Sequence, residues 1–129
     1  MIQRVQTIYM IANIGALLTL FFSSPEVVDE NYNFILDNVN YYNLGVSILL
    51  AVNLFLFKKR NFQIQINIFI IALLVIELAF WGIIISRLEN INQSVFVLLL
   101  LPISILLLIN TNKNIKKDED LVRSVDRLR

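Results

Sequence analysis

Four long apolar stretches, at residues 5–22, 41–57, 64–86 and 95–110, leave this chain few ways to fold. Each is close to the ~20 residues that carry a helix across ~30 Å of hydrocarbon. Any one of them alone would serve as the buried helix of a soluble domain. Four in succession would not, because the connections hold too little polar surface to build a water-facing exterior. Only 16% of the 129 residues are charged, 57% are hydrophobic, and the mean hydropathy is +0.71. The sequence therefore predicts an all-α membrane protein, with four transmembrane helices in an up-down bundle. Residues 1–112 form the transmembrane domain and residues 113–129 a cytoplasmic amphipathic tail.

The first stretch, with Arg4 before it and FFSSPE after it, has some features of a secretory leader. Its length, and Pro25 just beyond the best cleavage point, favour an uncleaved helix. Orientation follows from the basic residues. The connection Ser23 to Asn40 carries Glu26, Asp29, Glu30 and Asp37 with no Lys or Arg, whereas the next is the tight cluster Lys58-Lys59-Arg60. The third has Arg87 and Glu89, and the tail holds six basic residues from Lys113 to Arg129. By the positive-inside rule both termini and the Lys58–Arg60 turn are expected in the cytoplasm and the acidic connection outside. An even number of crossings agrees with that arrangement.

In the tail, Leu121, Val125 and Leu128 recur at spacings of four and three, on one side of a helix. Asp118, Glu119 and Asp120 suit a helix N-terminus, and Glu119 stands four residues before Arg123. A short amphipathic helix is expected, with its apolar side on the membrane surface or on a partner and Arg123 and Arg127 near anionic lipid.

The two ends carry a resemblance. MIQRVQTIYM at Met1 to Met10 and IKKDEDLVRSVDRLR at Ile115 to Arg129 resemble the opening and closing motifs of an uncharacterised Bacteroidetes family of four-helix integral membrane proteins, a domain of unknown function (DUF4293). The resemblance implies a four-helix inner-membrane architecture. It implies no activity, cofactor or catalytic residue.

The third stretch contains IALLVIELAFWGIII, in which Glu77 stands among fourteen residues that offer it no charge partner. A charge at the centre of a spanning helix costs roughly 2.5–3.5 kcal/mol on insertion scales, and each Leu, Ile, Phe or Val returns about 0.3–0.6. The helix inserts despite Glu77, provided the side chain avoids lipid. Gln63, Asn67, Ile70, Leu74, Glu77, Trp81 and Ile84 recur at steps of four and three, a stripe expected to face the bundle interior. Gln6, Tyr9, Asn13 and Ala16 make a similar stripe in the first helix. Asn13, Ser47, Glu77 and Ser104 fall at comparable depth, so a small intramembrane polar cluster of those four is expected. With no Lys or Arg in any span, the carboxyl is expected to be neutral and to donate a hydrogen bond to an amide or hydroxyl. Gly15, Gly45 and Gly82 suggest close helix approach, and Pro102 a kink in the fourth helix.

Cysteine and histidine are both absent, which removes disulfides, thiol nucleophiles, Cys/His metal sites and imidazole-based catalysis. Phosphate-binding glycine loops are missing too, and the basic clusters lack the interleaved aromatics of a nucleic-acid surface. The reading is a non-enzymatic protein of the bacterial inner (cytoplasmic) membrane, with no cofactor, metal or nucleic-acid partner. It is expected to be a structural or accessory subunit that meets the bilayer and a protein partner, or further copies of itself. The alternative is a small proton- or cation-coupled transporter, a homo-oligomer using Glu77.

Overall fold

The computed structural model describes residues 2–22, 30–56, 59–85 and 94–126, with side chains at 5–22, 38–56, 59–83 and 97–124. Four helices account for nearly all of it: α1 (Ile2–Phe22), α2 (Glu30–Phe55), α3 (Arg60–Ile85) and α4 (Ser94–Asp126). Among the described residues there is no strand. The acidic connection from Ser23 to Asp29, the Arg87 and Glu89 connection, and Arg127 and Leu128 lie outside the described residues, as does the Val125 side chain.

α1 packs on α2 and α4, and α3 packs on α4 and α2. The four helices thus close a ring in which the α2–α3 pairing is the thinnest. The hydrogen bonds give direction. Asn43 meets Glu77 and Asn53 meets Asn67, so ten residues forward in α2 are ten residues back in α3. α3 and α4 are likewise antiparallel, since Asn67 meets Asn112 and Arg60 meets Asp118.

Two helix boundaries differ from the sequence expectation. α2 begins at Glu30, eleven residues before the apolar stretch. No Gly or Pro lies between Glu30 and Leu44 to stop it, and Val39 and Tyr42 carry its packed face down to Val46. Hydropathy marks where lipid can begin, and a helix is free to start earlier. α4, at 33 residues, runs unbroken through Pro102 and on to Asp126. Residues 113–126 continue α4 and are not a separate short helix. At ~1.5 Å per residue α4 is about 50 Å long, more than the roughly 20 residues that ~30 Å of hydrocarbon requires, so a crossing α4 would leave about a dozen residues projecting beyond it. That division falls at Lys113, the first charge in the helix.

By length and composition α1, α3 and α4 are apolar enough to cross a membrane, and α2 falls short. Four asparagines, Asn38, Asn40, Asn43 and Asn53, lie in the last eighteen residues of α2. Burial accounts for two of them. Asn43 and Asn53 face the interior, while Ile48, Val52 and Phe55 of the same helix are exposed.

The same inversion holds around the ring. The interior has apolar layers built on Leu17, Leu50, Ile70, Leu74, Leu101 and Leu108, all with no exposed surface, interleaved with buried Asn13, Asn43, Ser47, Asn53, Gln63, Asn67, Glu77, Ser104 and Thr111. The exterior is apolar, with Ile8 and Ile11 on α1, Ile68 and Ile76 on α3, and Leu99 and Leu106 on α4 exposed. The three glycines do not mediate close approach. A Cβ built at Gly15, Gly45 or Gly82 meets nothing within 4 Å, because all three face outward.

Candidate functional site

α3 organises the buried polar groups. Gln63, Asn67, Ile70, Leu74, Glu77 and Trp81 are all buried, at the three-and-four spacing that puts them on one face. The Ile84 side chain lies outside the described residues. Two polar stations result, ten residues and so about 15 Å apart.

The first station is at the start of α3. Asn67 is its hub: Asn53 Nδ2 donates to Asn67 Oδ1 at 2.8 Å, and Asn67 Nδ2 donates to Asn112 Oδ1 at 2.8 Å. One asparagine thereby ties α2, α3 and α4 together. Gln63 Nε2 donates to the Asn53 carbonyl at 3.4 Å and reaches Met10 Sδ on α1 at 3.5 Å. Just outside, Arg60 pairs with Asp118 at 2.8 Å. Ile115 is buried beside this pair in sequence, so the first turn of the α4 projection is still packed against the ring.

The second station is Glu77. Asn43 Nδ2 donates to Glu77 Oε1 at 2.9 Å. Both residues are at least nine-tenths buried, and Asn43 Oδ1 and Glu77 Oε2 have no partner. A carboxyl oxygen and an amide oxygen are left over on one hydrogen-bonded pair, with the Trp81 indole N–H the unpaired donor beside them. A protonated carboxyl at 77 would offer an O–H donor to Asn43 Oδ1, and the pair would then form a two-bond ring between carboxyl and carboxamide. The Trp81 indole sits one turn on, beside the carboxyl, with its Nε1 short of a hydrogen bond. The Tyr42 phenol of α2 lies near the Glu77 carboxyl. From α4, residues 97–112 present no titratable side chain.

The four residues expected as one cluster are all buried but are bonded separately. Asn13 Nδ2 donates to the Ser104 backbone carbonyl at 2.8 Å, joining α1 to α4. Ser47 Oγ turns to the Leu44 carbonyl on its own helix, as serines in apolar helices commonly do. Glu77 has Asn43. By the α3–α4 register Ser104 stands opposite the turn from Leu74 to Glu77, and Asn13 Oδ1 and Ser104 Oγ, like Glu77 Oε2, lack partners. Asn43, Asn53 and Asn112 are the residues that sequence reasoning missed. The signal was available: Asn43 and Asn53 on one side, and Asn67 and Glu77 on the other, are spaced symmetrically about Arg60, which is what a tight antiparallel turn there brings together.

On the α4 projection, Leu121 and Val122 are both about half exposed, and Arg123 pairs with Glu119 at 2.6 Å. No group of three or more Asp, Glu, His or Cys side chains able to hold a metal occurs among the described residues.

Comparison with curated proteins and with solved structures returns no match. A family match does appear, over residues 38–128. It takes in most of α2 and all of α3 and α4, with Asn43, Asn53, Asn67, Glu77 and most of the closing motif, while the opening motif lies outside it. On that match the chain belongs to the family described as a domain of unknown function, DUF4293.

Proposed function

We propose that the chain is a non-catalytic integral membrane protein whose four helices all cross the bacterial inner membrane. In this reading both termini and the Lys58–Arg60 turn are cytoplasmic, and the protein serves as a structural or accessory subunit beside partner membrane proteins. The inversion of burial carries the reading. Amides, hydroxyls and a carboxyl face inward and Ile, Leu, Val and Phe face outward, which is unfavourable in water and favourable in lipid. It also supports the crossing of α2, whose asparagines are paired inside the ring while its outer face is apolar.

An accessory role suits the interior better than a carrier role does. Between the two polar stations on α3 stand Ile70 and Leu74, fully buried, with Leu17, Leu50 and Leu101 equally closed around them. Such packing offers no wetted route from Asn67 to Glu77. The outer apolar faces and the α4 projection are the surfaces left for a partner.

Topology is tested with cysteines introduced singly at Asp29 and Lys59 and an impermeant thiol reagent. Labelling from opposite sides is expected, and labelling of both from one side overturns the four-crossing arrangement. Purification in mild detergent tests the role. A stoichiometric membrane partner is expected, whereas a homo-oligomer that carries proton or cation flux in liposomes overturns the accessory reading.

A further inference from the structure

The thinness of the α2–α3 pairing leaves a groove on the outer side of the ring, next to the turn that joins the two helices. Leu49, Val52 and Leu56 from the end of α2 and Phe62, Ile66 and Phe69 from the start of α3 line it, with Gln65 the one polar liner, and it encloses about 370 Å³. Its walls are exposed: Val52, Phe62 and Phe69 each keep half or more of their surface. A volume of that size suits a length of acyl chain better than the face of another helix.

The apolar lining selects nothing by itself, since every lipid in the bilayer offers the same hydrocarbon. Selection comes from the end of the groove. Lys59 sits in the turn between Leu56 and Phe62, its amide N–H bonded to the Leu56 carbonyl at 2.9 Å and its own carbonyl bonded by Gln63 N–H at 3.0 Å. The residue is exposed and has no ion-pair partner among the described residues. Arg60 beside it is held by Asp118. An exposed ammonium whose backbone is bonded to groove-lining Leu56, beside an apolar groove, matches an anionic headgroup attached to a fatty chain.

We propose that this groove is a binding site for an anionic phospholipid, with an acyl chain between α2 and α3 and the headgroup phosphate on Lys59. The inference rests on the membrane reading above. It adds a preference, because a cation at the membrane surface contributes about 1 kcal/mol of attraction to anionic lipid, which corresponds to roughly fivefold in retention.

The test uses the full chain, stripped of lipid in detergent and offered phosphatidylglycerol or phosphatidylcholine with identical oleoyl chains, with bound lipid counted by native mass spectrometry. Parent protein is expected to retain phosphatidylglycerol about fivefold better. Lys59→Glu should bring the two lipids to parity, and Val52→Trp, which fills the groove from an exposed position, should reduce retention of both, with helical content unchanged in each variant. Equal retention of the two lipids by the parent overturns the proposal, as does a preference that survives Lys59→Glu. So does a Val52→Trp variant that loses a dimer while holding its lipid, which would assign the groove to a second copy of the chain. Parent protein that stays monodisperse without detergent overturns the membrane reading itself, a result that none of the lipid outcomes can mimic.

Discussion

Replacing Glu77 by leucine should destabilise the protein by about 1–2 kcal/mol, and replacing Asn43 at the same time should remove most of that loss. The magnitude follows from what each change leaves behind. In the parent, one bond of 2.9 Å joins two side chains that are at least nine-tenths buried. A hydrogen bond between membrane helices is worth about 0.6 kcal/mol on average and at most about 1.7. Leucine at 77 abolishes that bond and strands the whole Asn43 amide in the interior, and an unsatisfied buried polar group costs about 1–3 kcal/mol. The added apolar volume offsets part of the sum. With leucine at both positions nothing polar is stranded, and such paired replacement is close to neutral. Glutamine at 77 is the complementary control. Its carbonyl accepts from Asn43 Nδ2 as Glu77 Oε1 does, and its Nε2 donates to Asn43 Oδ1, so the two-bond ring forms with no ionisable group. Reversible unfolding in mixed detergent micelles of the parent, Glu77→Leu, Asn43→Leu and the double variant closes a double-mutant cycle, with Glu77→Gln measured beside it. A coupling of about 2 kcal/mol between positions 43 and 77 is expected, since each single change strands a buried polar group and the double change strands none, with the glutamine variant within about 0.5 kcal/mol of the parent. Additive losses, or a glutamine variant as unstable as the leucine variant, would refute the carboxyl–carboxamide ring.

The other substitutions test separate parts of the fold. Asn67→Leu removes a hub that serves two other helices and should cost more than Asn112→Leu, by about one interhelical hydrogen bond, in the same unfolding assay. Arg60→Ala should change global stability by less than about 1 kcal/mol, since the pair with Asp118 is at the edge of the ring. It should nevertheless expose residues 113–126 to protease, and the reversed pair Arg60→Asp with Asp118→Arg should restore protection. Gly45→Ala should be tolerated or slightly stabilising, because its Cβ enters open space and helix propensity improves by up to about 1 kcal/mol. A Gly45→Ala variant that folds normally but no longer co-purifies with its partner would locate the docking face on α2.

The α3 stripe was legible because one number decides it. Apolar and polar residues that share a helix face must recur at 3.6, and six of the seven residues on that stripe are described and buried. On α1 the same reasoning was one step off. Met10, Leu17 and Leu20 share the buried face with Asn13, while Tyr9 and Ala16 are only half-buried, because a short stripe of four residues fixes a helix rotation only to within one position. The partner of Glu77 was harder to find. Depth counted from helix ends brought Asn13, Ser47 and Ser104 level with it, yet depth does not say which neighbour a side chain turns toward. Register does, and it is set by the turn: pairing across Lys58–Arg60 leads from Glu77 to Asn43 and from Asn67 to Asn53. The uninterrupted course of α4 was hidden for a related reason. The charge that begins at Lys113 changes the polarity of the helix surface without interrupting the backbone, so the boundary visible in composition has no counterpart in the chain's conformation.

The proposed crossing of α2 requires that a segment with four asparagines in eighteen residues be made compatible with a membrane, and the hairpin with α3 supplies a way. An unpaired amide inside hydrocarbon costs several kcal/mol, and two of them would offset much of what the leucines, isoleucines and valines of α2 return. Paired in advance, they cost far less. Asn53 lies two residues before the end of α2 and Asn67 two turns into α3, so they are the nearer pair to the connection and close first, with Gln63 reaching back to the Asn53 carbonyl; loop closure over so few residues is a small entropic penalty. That pairing fixes the register, and the register delivers Asn43 to Glu77 ten residues further along. α3, the most apolar of the spans, carries both partners. Its own carboxyl and amide are as unfavourable alone as the asparagines of α2, so each helix makes the other's polar groups compatible with lipid. On this account Glu77 is tolerated on α3 because Asn43 is on α2. The pair then belongs to the assembly of the ring, and an acid in the membrane needs no substrate to explain its presence.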